Sequence, residues 1–292
     1  MAKVKGKKRR ATESASTLAE LLRVPAGPVD LSTFDTRSTP GFTGDKLAGQ
    51  EQLTQMAPTL SDLQERLYAN GRTGGKQRLL LVVQGMDTSG KGGVMRHAVG
   101  LMDPQGLRIK AFKAPTPEEK RRGFLWRIRQ AQPLPGEVGV YDRSHYEDVL
   151  VARVRELAPV DRIERRYDQI NDFEAKLAGS GCAVIKVMLH ISRAEQKARL
   201  LARLDDPTKH WKYNPGDVDD RMLWDKFQEA YEIALERCNT DPAPWHLVPA
   251  DRKWYRNWAV TRLLIEHLQV MDLDWPTVDF DVEQERERLA AT

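Results

Sequence analysis

Five short apolar runs recur along the chain, and stretches of helical periodicity separate them. Leu79, Leu80, Leu81, Val82 and Val83 form an unbroken run inside residues 78–85, the pattern of a parallel strand buried on both faces. Residues 107–112, 137–141, 182–191 and 245–248 supply four further strand candidates. Between them, Thr116, Pro117 and Glu119 combine a capping box with proline at the first helical position. Ile163, Tyr167, Ile170, Phe173 and Leu177 keep helical spacing until Gly179 and Gly181 stop the helix. Ser192 and Glu195 spell a second capping box. Further helices are expected over residues 18–24, 46–68, 217–239 and 253–269. Strands alternating with helices predict a three-layer α/β/α fold with a five-stranded, mainly parallel sheet. Ligands of such sheets lie beyond the carboxyl ends of the strands.

The organisation expected from this pattern is a single domain over residues 36–271. A flexible basic tail and arm precede it over 1–35, and a tail follows over 272–292. Residues 1–12 are rich in Lys and Arg and nearly free of apolar side chains, a solvated tail by composition. No apolar run approaches the roughly 20 residues that span a bilayer, so no membrane association is expected. Cys182 and Cys238 lack metal-ligand spacing and fit a reduced pair in the cytoplasm.

A net charge of +4 says little on its own, but its distribution is uneven. Residues 108–129 carry eight Lys or Arg against two acids, and residues 193–212 carry six against three. Either stretch could be a solvated helix face or a cluster of anion-binding groups.

A second signal favours anions. Gly85, Gly90, Lys91 and Gly92 fit the G-x-x-x-x-G-K pattern at the end of the first strand and the start of a helix. That context defines a phosphate-cradling P-loop, in which glycines let backbone N–H groups face the phosphates and Lys91 reaches the group in transfer. Gly92 stands where a Ser or Thr would bind Mg²⁺, and Asp87 lies inside the loop where a bare carboxylate repels phosphate. Both departures fit if Asp87 takes over the metal. The other reading is that Asp87 only caps loop N–H groups.

After the third strand, Asp142 suits a Walker B acid and Arg143 a phosphate clamp, with Glu147 and Asp148 at the same sheet edge. Gln196, Arg199 and Arg203 share a helix face, and Lys209, Trp211 and Lys212 follow a break at Pro207. A cationic hinged segment over about 193–216 reads as a lid that closes over phosphates and excludes water. Trp211 could stack on a base or pack in the hinge. Lys253 and Arg256, after the fifth strand, are phosphate contacts or surface charge. No histidine receives a catalytic role.

The motifs at residues 85–93, 113–127, 141–151, 192–212 and 245–253 together resemble polyphosphate kinase family 2. The resemblance spans roughly residues 40–270 in order. It implies a P-loop kinase fold, Mg²⁺, inorganic polyphosphate as phosphoryl donor, and a nucleoside mono- or diphosphate acceptor. A homo-oligomer, dimer or tetramer, is also implied, and no nucleic acid is expected. Carried over by motif, Asp87 and Asp142 hold the metal, while Lys91 and Arg143 contact the transferred phosphate. Gly90, Gly92 and Gly93 shape the loop. Lys113, Arg199, Arg203, Lys209 and Lys212 line the polyanion path, joined by Lys253 and Arg256 as phosphate contacts. The rivals are an ATP-dependent nucleotide or small-molecule kinase and a non-catalytic polyanion binder.

Overall fold

A parallel strand flanked by helices hides both faces of its side chains, which is why the apolar runs translate directly into a sheet. The computed structural model describes residues 16–292; the expected tail at residues 1–12 lies outside the described residues. The strands are β1 (Arg78–Gln84), β2 (Leu107–Ala111), β3 (Val138–Asp142), β4 (Cys182–His190) and β5 (Trp245–Pro249). Their spatial order is β2-β3-β1-β4-β5, and every pairing is parallel.

The helices are α1 (Leu18–Leu22), α2 (Lys46–Arg72), α3 (Lys91–His97), α4 (Pro117–Arg121), α5 (Trp126–Gln130) and α6 (Val151–Val154). They continue with α7 (Val160–Gly179), α8 (Arg193–Leu204), α9 (Gly216–Met222), α10 (Trp224–Arg237), α11 (Lys253–Val270) and α12 (Val282–Ala290). Leu80 and Val82 join the core on the face of α7 and α10, with Ile163, Tyr167, Phe227 and Ala230. Leu79, Leu81 and Val83 join the opposite core, with Leu60 and Leu67 of α2 and Leu263 and Leu264 of α11. These two cores are the outer boundaries of the middle layer.

The chain leaves β1 for β2 and β3 on one side and for β4 and β5 on the other. Such a reversal opens a crevice at the carboxyl ends of the central strands. The loop after β1 and the turn after β3 both emerge there. Their register is tight: Val83 pairs with Asp142, and Arg143 N–H donates to Val83 O at 3.1 Å.

Three local expectations change. Residues 16–35 are not a free arm: Leu18, Leu22, Val24 and Leu31 are buried, because their apolar side chains have the α11 and β5 surfaces to cover. The helix expected over 217–239 breaks at Leu223 into α9 and α10, which turns Trp224 into the core while Met222 stays exposed. The capping box at Ser192 is half formed. Its hydroxyl accepts from Glu195 N–H at 3.1 Å, but Asp251 takes the Ser192 N–H at 2.8 Å and Glu195 binds Arg199.

Candidate active site

The β1–α3 loop bends through three left-handed residues, Gly85, Thr88 and Gly90. A Cβ at Gly90 would lie 1.7 Å from Arg256 Nη1, and one at Gly93 2.2 Å from Arg256 Nη2. Glycine at these two positions therefore makes room for an arginine behind the loop. Gly92 differs, with nothing within 4 Å of an added Cβ.

Asp87 sits at the centre of the crevice. Arg143 Nη2 donates to its Oδ1 at 3.0 Å, and Lys91 Nζ lies 3.9 Å from the same oxygen. Lys91 also donates to Gly85 O at 2.7 Å. The positive φ of Arg143 is uncommon for a side chain of this size and aims the guanidinium across from the β3 turn to the loop. Glu147 lies half-buried beside them. Burial raises its pKa, against the pull of the Arg143 and Lys91 cations. Burial also raises that of Asp148, which lies 3.7 Å from Arg127 Nη2 and 3.9 Å from Arg166 Nη1.

A cavity of about 850 Å³ opens from this point and is lined by Arg143, Glu147, Lys113 and residues of α4 to α7. Among the described residues, nine Lys or Arg border it against four acids, so it suits a polyanion. Phe112 and Phe124 add apolar wall.

Arg199 and Arg256 need correction as phosphate contacts. Arg199 donates to Glu195 Oε1, Thr88 O, Ser89 O, Ala250 O and Asp251 O, all between 2.7 and 3.0 Å. A guanidinium has five N–H donors, and each is spent within the protein. Arg256 is 3% exposed and bonds Asn257 Oδ1 and Ser89 O. Burial and then Arg199 lower its pKa to about 10, leaving it charged at neutral pH. Both arginines brace the P-loop from beneath.

The remaining candidate cations are held by local partners or exposed. Arg203 is held by Lys212 O and Asp217, and Lys209 by Asp206 at 2.6 Å. The Lys212 ammonium lies over the ring of Trp211, which is exposed rather than packed in a hinge. Lys253 is exposed at the start of α11. Partial burial and then Arg199 lower its pKa, with Arg256 and Lys209 adding. These cations do not line the cavity.

A sequence profile of the family described as Polyphosphate kinase 2 matches residues 43–276. The chain belongs to that family. It is 44% identical over 252 residues to an AMP/ADP-polyphosphate phosphotransferase of Meiothermus ruber, covering 86% of this chain and 93% of that one. An ADP-polyphosphate phosphotransferase of Rhodopseudomonas palustris is 36% identical over 260 residues, 85% of this chain and 88% of that one. The crystal structure of Polyphosphate Kinase 2 from Arthrobacter aurescens TC1 superposes with a TM-score of 0.92 at 52% identity, covering 97% of this chain and 99% of that one. The family resemblance read from the motifs is borne out.

Within this polyphosphate kinase 2 chain, two site residues, Asp217 and Tyr231, escaped the motif reading, and a third, Gln196, was read only as part of the lid face. Gln196 Nε2 donates to Asp87 O at 3.2 Å and joins the lid helix to the loop. Asp217, 7% exposed, faces Arg203; burial and then Asp87 push its pKa up to about 6. In sequence it reads as an ordinary acid in a first helical turn. Tyr231 is buried beneath the site, and burial, Glu147 and Asp87 all raise its pKa. Its place on the apolar face of α10 gave no polar signal.

Asp87 and Asp142 suit a hard cation. Both offer carboxylate oxygens at neighbouring strand ends, and Mg²⁺ is ordinarily held by one or two carboxylates plus substrate phosphates. Among the described residues, no group of three or more His, Cys, Asp or Glu is placed to hold a metal. Among the same residues, no helix is long and apolar enough to cross a membrane.

Proposed function

We propose that this chain transfers the terminal phosphate of inorganic polyphosphate to a nucleoside diphosphate or monophosphate, ADP or AMP and their guanine counterparts, reversibly and with Mg²⁺. The relatives named as AMP/ADP- and ADP-polyphosphate phosphotransferases support the substrates. The observation that carries the reading is the meeting of a cavity bordered by nine cations with a P-loop whose own acid is paired to Arg143.

Donor and acceptor both carry phosphates, so two anions must approach one point without repelling each other apart. The loop N–H groups and Lys91 hold the phosphate in transfer. Arg143, poised 3.0 Å from Asp87, swings its donors onto the oxygens of that group as charge spreads over them. Lys113 and the cavity arginines hold one chain, while Lys209, Lys212 and Lys253 screen the other. Glu147, with its pKa raised by burial, orients the acceptor. Closure of the lid segment beyond Arg199 would exclude water, so that transfer outruns hydrolysis. Mg²⁺, held by Asp87 and Asp142 when bound, would neutralise phosphate oxygens. Positioning and charge then carry catalysis, with no covalent enzyme intermediate.

The two cysteines, both buried and unpaired, fit a cytoplasmic protein. A homo-oligomer, dimer or tetramer, belongs to the same reading and is checked by sedimentation. The deciding assay incubates purified protein with polyphosphate, Mg²⁺ and AMP, ADP, GMP or GDP singly, with no triphosphate added. Triphosphate or diphosphate formation supports the reading. No product from any of the four, with phosphorylation of an acceptor from ATP instead, would replace it by an ATP-dependent kinase.

A further inference from the structure

Lys186 interrupts the apolar run of β4, and Glu174 interrupts the buried face of α7. Lys186 is fully buried, and its three donors are all satisfied: Glu174 Oε2 at 2.6 Å, Cys238 O at 2.6 Å and Tyr146 Oη at 2.8 Å. Tyr146 Oη donates onward to Glu174 Oε1 at 2.9 Å, and His145 Nε2 lies 3.0 Å from that same oxygen. Four polar side chains from three elements thus form one sealed post under the β3 turn, each at most 1% exposed. Aromatic edges wedge it in place, Tyr146 on Trp245 and His145 on Phe173.

Stability does not account for this arrangement. A buried ion pair seldom outperforms apolar side chains of the same shape, because desolvation offsets the attraction. What the post touches is more informative. His145 and Tyr146 lie between Arg143 and Glu147. Ser144 Oγ accepts from Tyr146 N–H and from Gln84 Nε2, so the turn is pinned both to β1 and to the post. Arg143 keeps a φ of 63°, a conformation that persists only where its surroundings over-determine it.

We propose that the Lys186–Glu174 pair, acting through Tyr146 and His145, is the positioning device that holds Arg143 and Glu147 in their working geometry. None of the four side chains reaches a substrate; they are positioning residues. The inference rests on the functional reading above.

Tyr146→Phe deletes one oxygen from the post. The double variant Glu174→Gln/Lys186→Met neutralises it while keeping its shape. Initial rates of ATP formation from ADP and polyphosphate should show kcat lower by about tenfold or more in both, with KM for each substrate within about twofold of wild type. Tyr146→Phe should melt below wild type, because the buried Lys186 ammonium and Glu174 carboxylate each lose a partner, so its rates are read well below its own melting point. A kcat within about twofold of wild type in Tyr146→Phe overturns the proposal, whether or not the double variant folds. Wild type assayed alongside separates the two claims, because absence of turnover there overturns the functional reading instead. In that case the crystal structure of Tyr146→Phe decides. Arg143 relaxed to negative φ supports the positioning role, and Arg143 still left-handed and bonded to Asp87 overturns it.

Discussion

Replacing Arg199 by lysine leaves the charge in place but removes the fork that ties three segments together. The guanidinium bridges Thr88 and Ser89 of the P-loop, Ala250 and Asp251 after β5, and Glu195 one turn back on its own helix. An ammonium on a flexible stem has three donors and cannot span both carbonyl pairs. At least two buried carbonyls then lose their partner. With charge-assisted bonds at about 1.5–3 kcal/mol each, two lost bonds cost about 3–6 kcal/mol. For a chain of this size, that lowers the melting temperature by on the order of 10 °C. The P-loop also loses its support, and a displacement of about 1 Å there costs roughly a hundredfold in kcat. The assay is a thermal melt together with initial rates of ATP formation well below the lower melting point. A phosphate ligand would behave differently, raising KM for polyphosphate while the melt stays put. An Arg199→Lys protein that melts with wild type and changes only KM would refute the bracing role.

The glycines separate by position: Gly93→Ala drives a Cβ to 2.2 Å from Arg256 and should cost about 2–3 kcal/mol, whereas Gly92→Ala meets open space and should gain about 0.5–1 kcal/mol of helix propensity; denaturant melts of the pair decide. Asp217 carries a pH signature. Its folded-state pKa is raised from 3.8 to about 6, so its protonated form adds stability that is fully present below pH 3.8 and lost as pH rises through about 6. Melts across that window should show a fall that Asp217→Asn abolishes, worth about 1–3 kcal/mol; an identical profile in the variant rules it out. Asp87→Asn should lower kcat about a thousandfold while a calorimetric titration still shows polyphosphate binding; retained turnover would remove Asp87 from the chemistry.

The strands and the anion-binding loop were legible because their signals are local. An apolar run, two glycines and a lysine occupy adjacent positions, and the backbone they dictate follows. Arg199 and Arg256 looked like free cations because nothing nearby in sequence announces the carbonyls that hold them; Ser89 and Ala250 are brought to Arg199 only by the sheet. The same holds for the capping box at Ser192, where a distant Asp251 outcompeted Glu195 for one N–H. Lys186 and Glu174 did carry a signal, a charge inside each of two apolar patterns. Reading the two breaks as one pair requires knowing that α7 packs on β4.

The described part of the leading arm does more than cover apolar surface. Val24 N–H donates to Trp245 O at 2.9 Å, and Arg23 bridges His246 in antiparallel sense. The last strand of the sheet is thereby given a partner it would otherwise lack. Unpartnered strand borders template pairing with other molecules, so a shortened chain beginning at residue 36 would offer a sticky border to its neighbours. Light scattering of such a truncation should report growth into aggregates at concentrations where the whole chain stays dispersed.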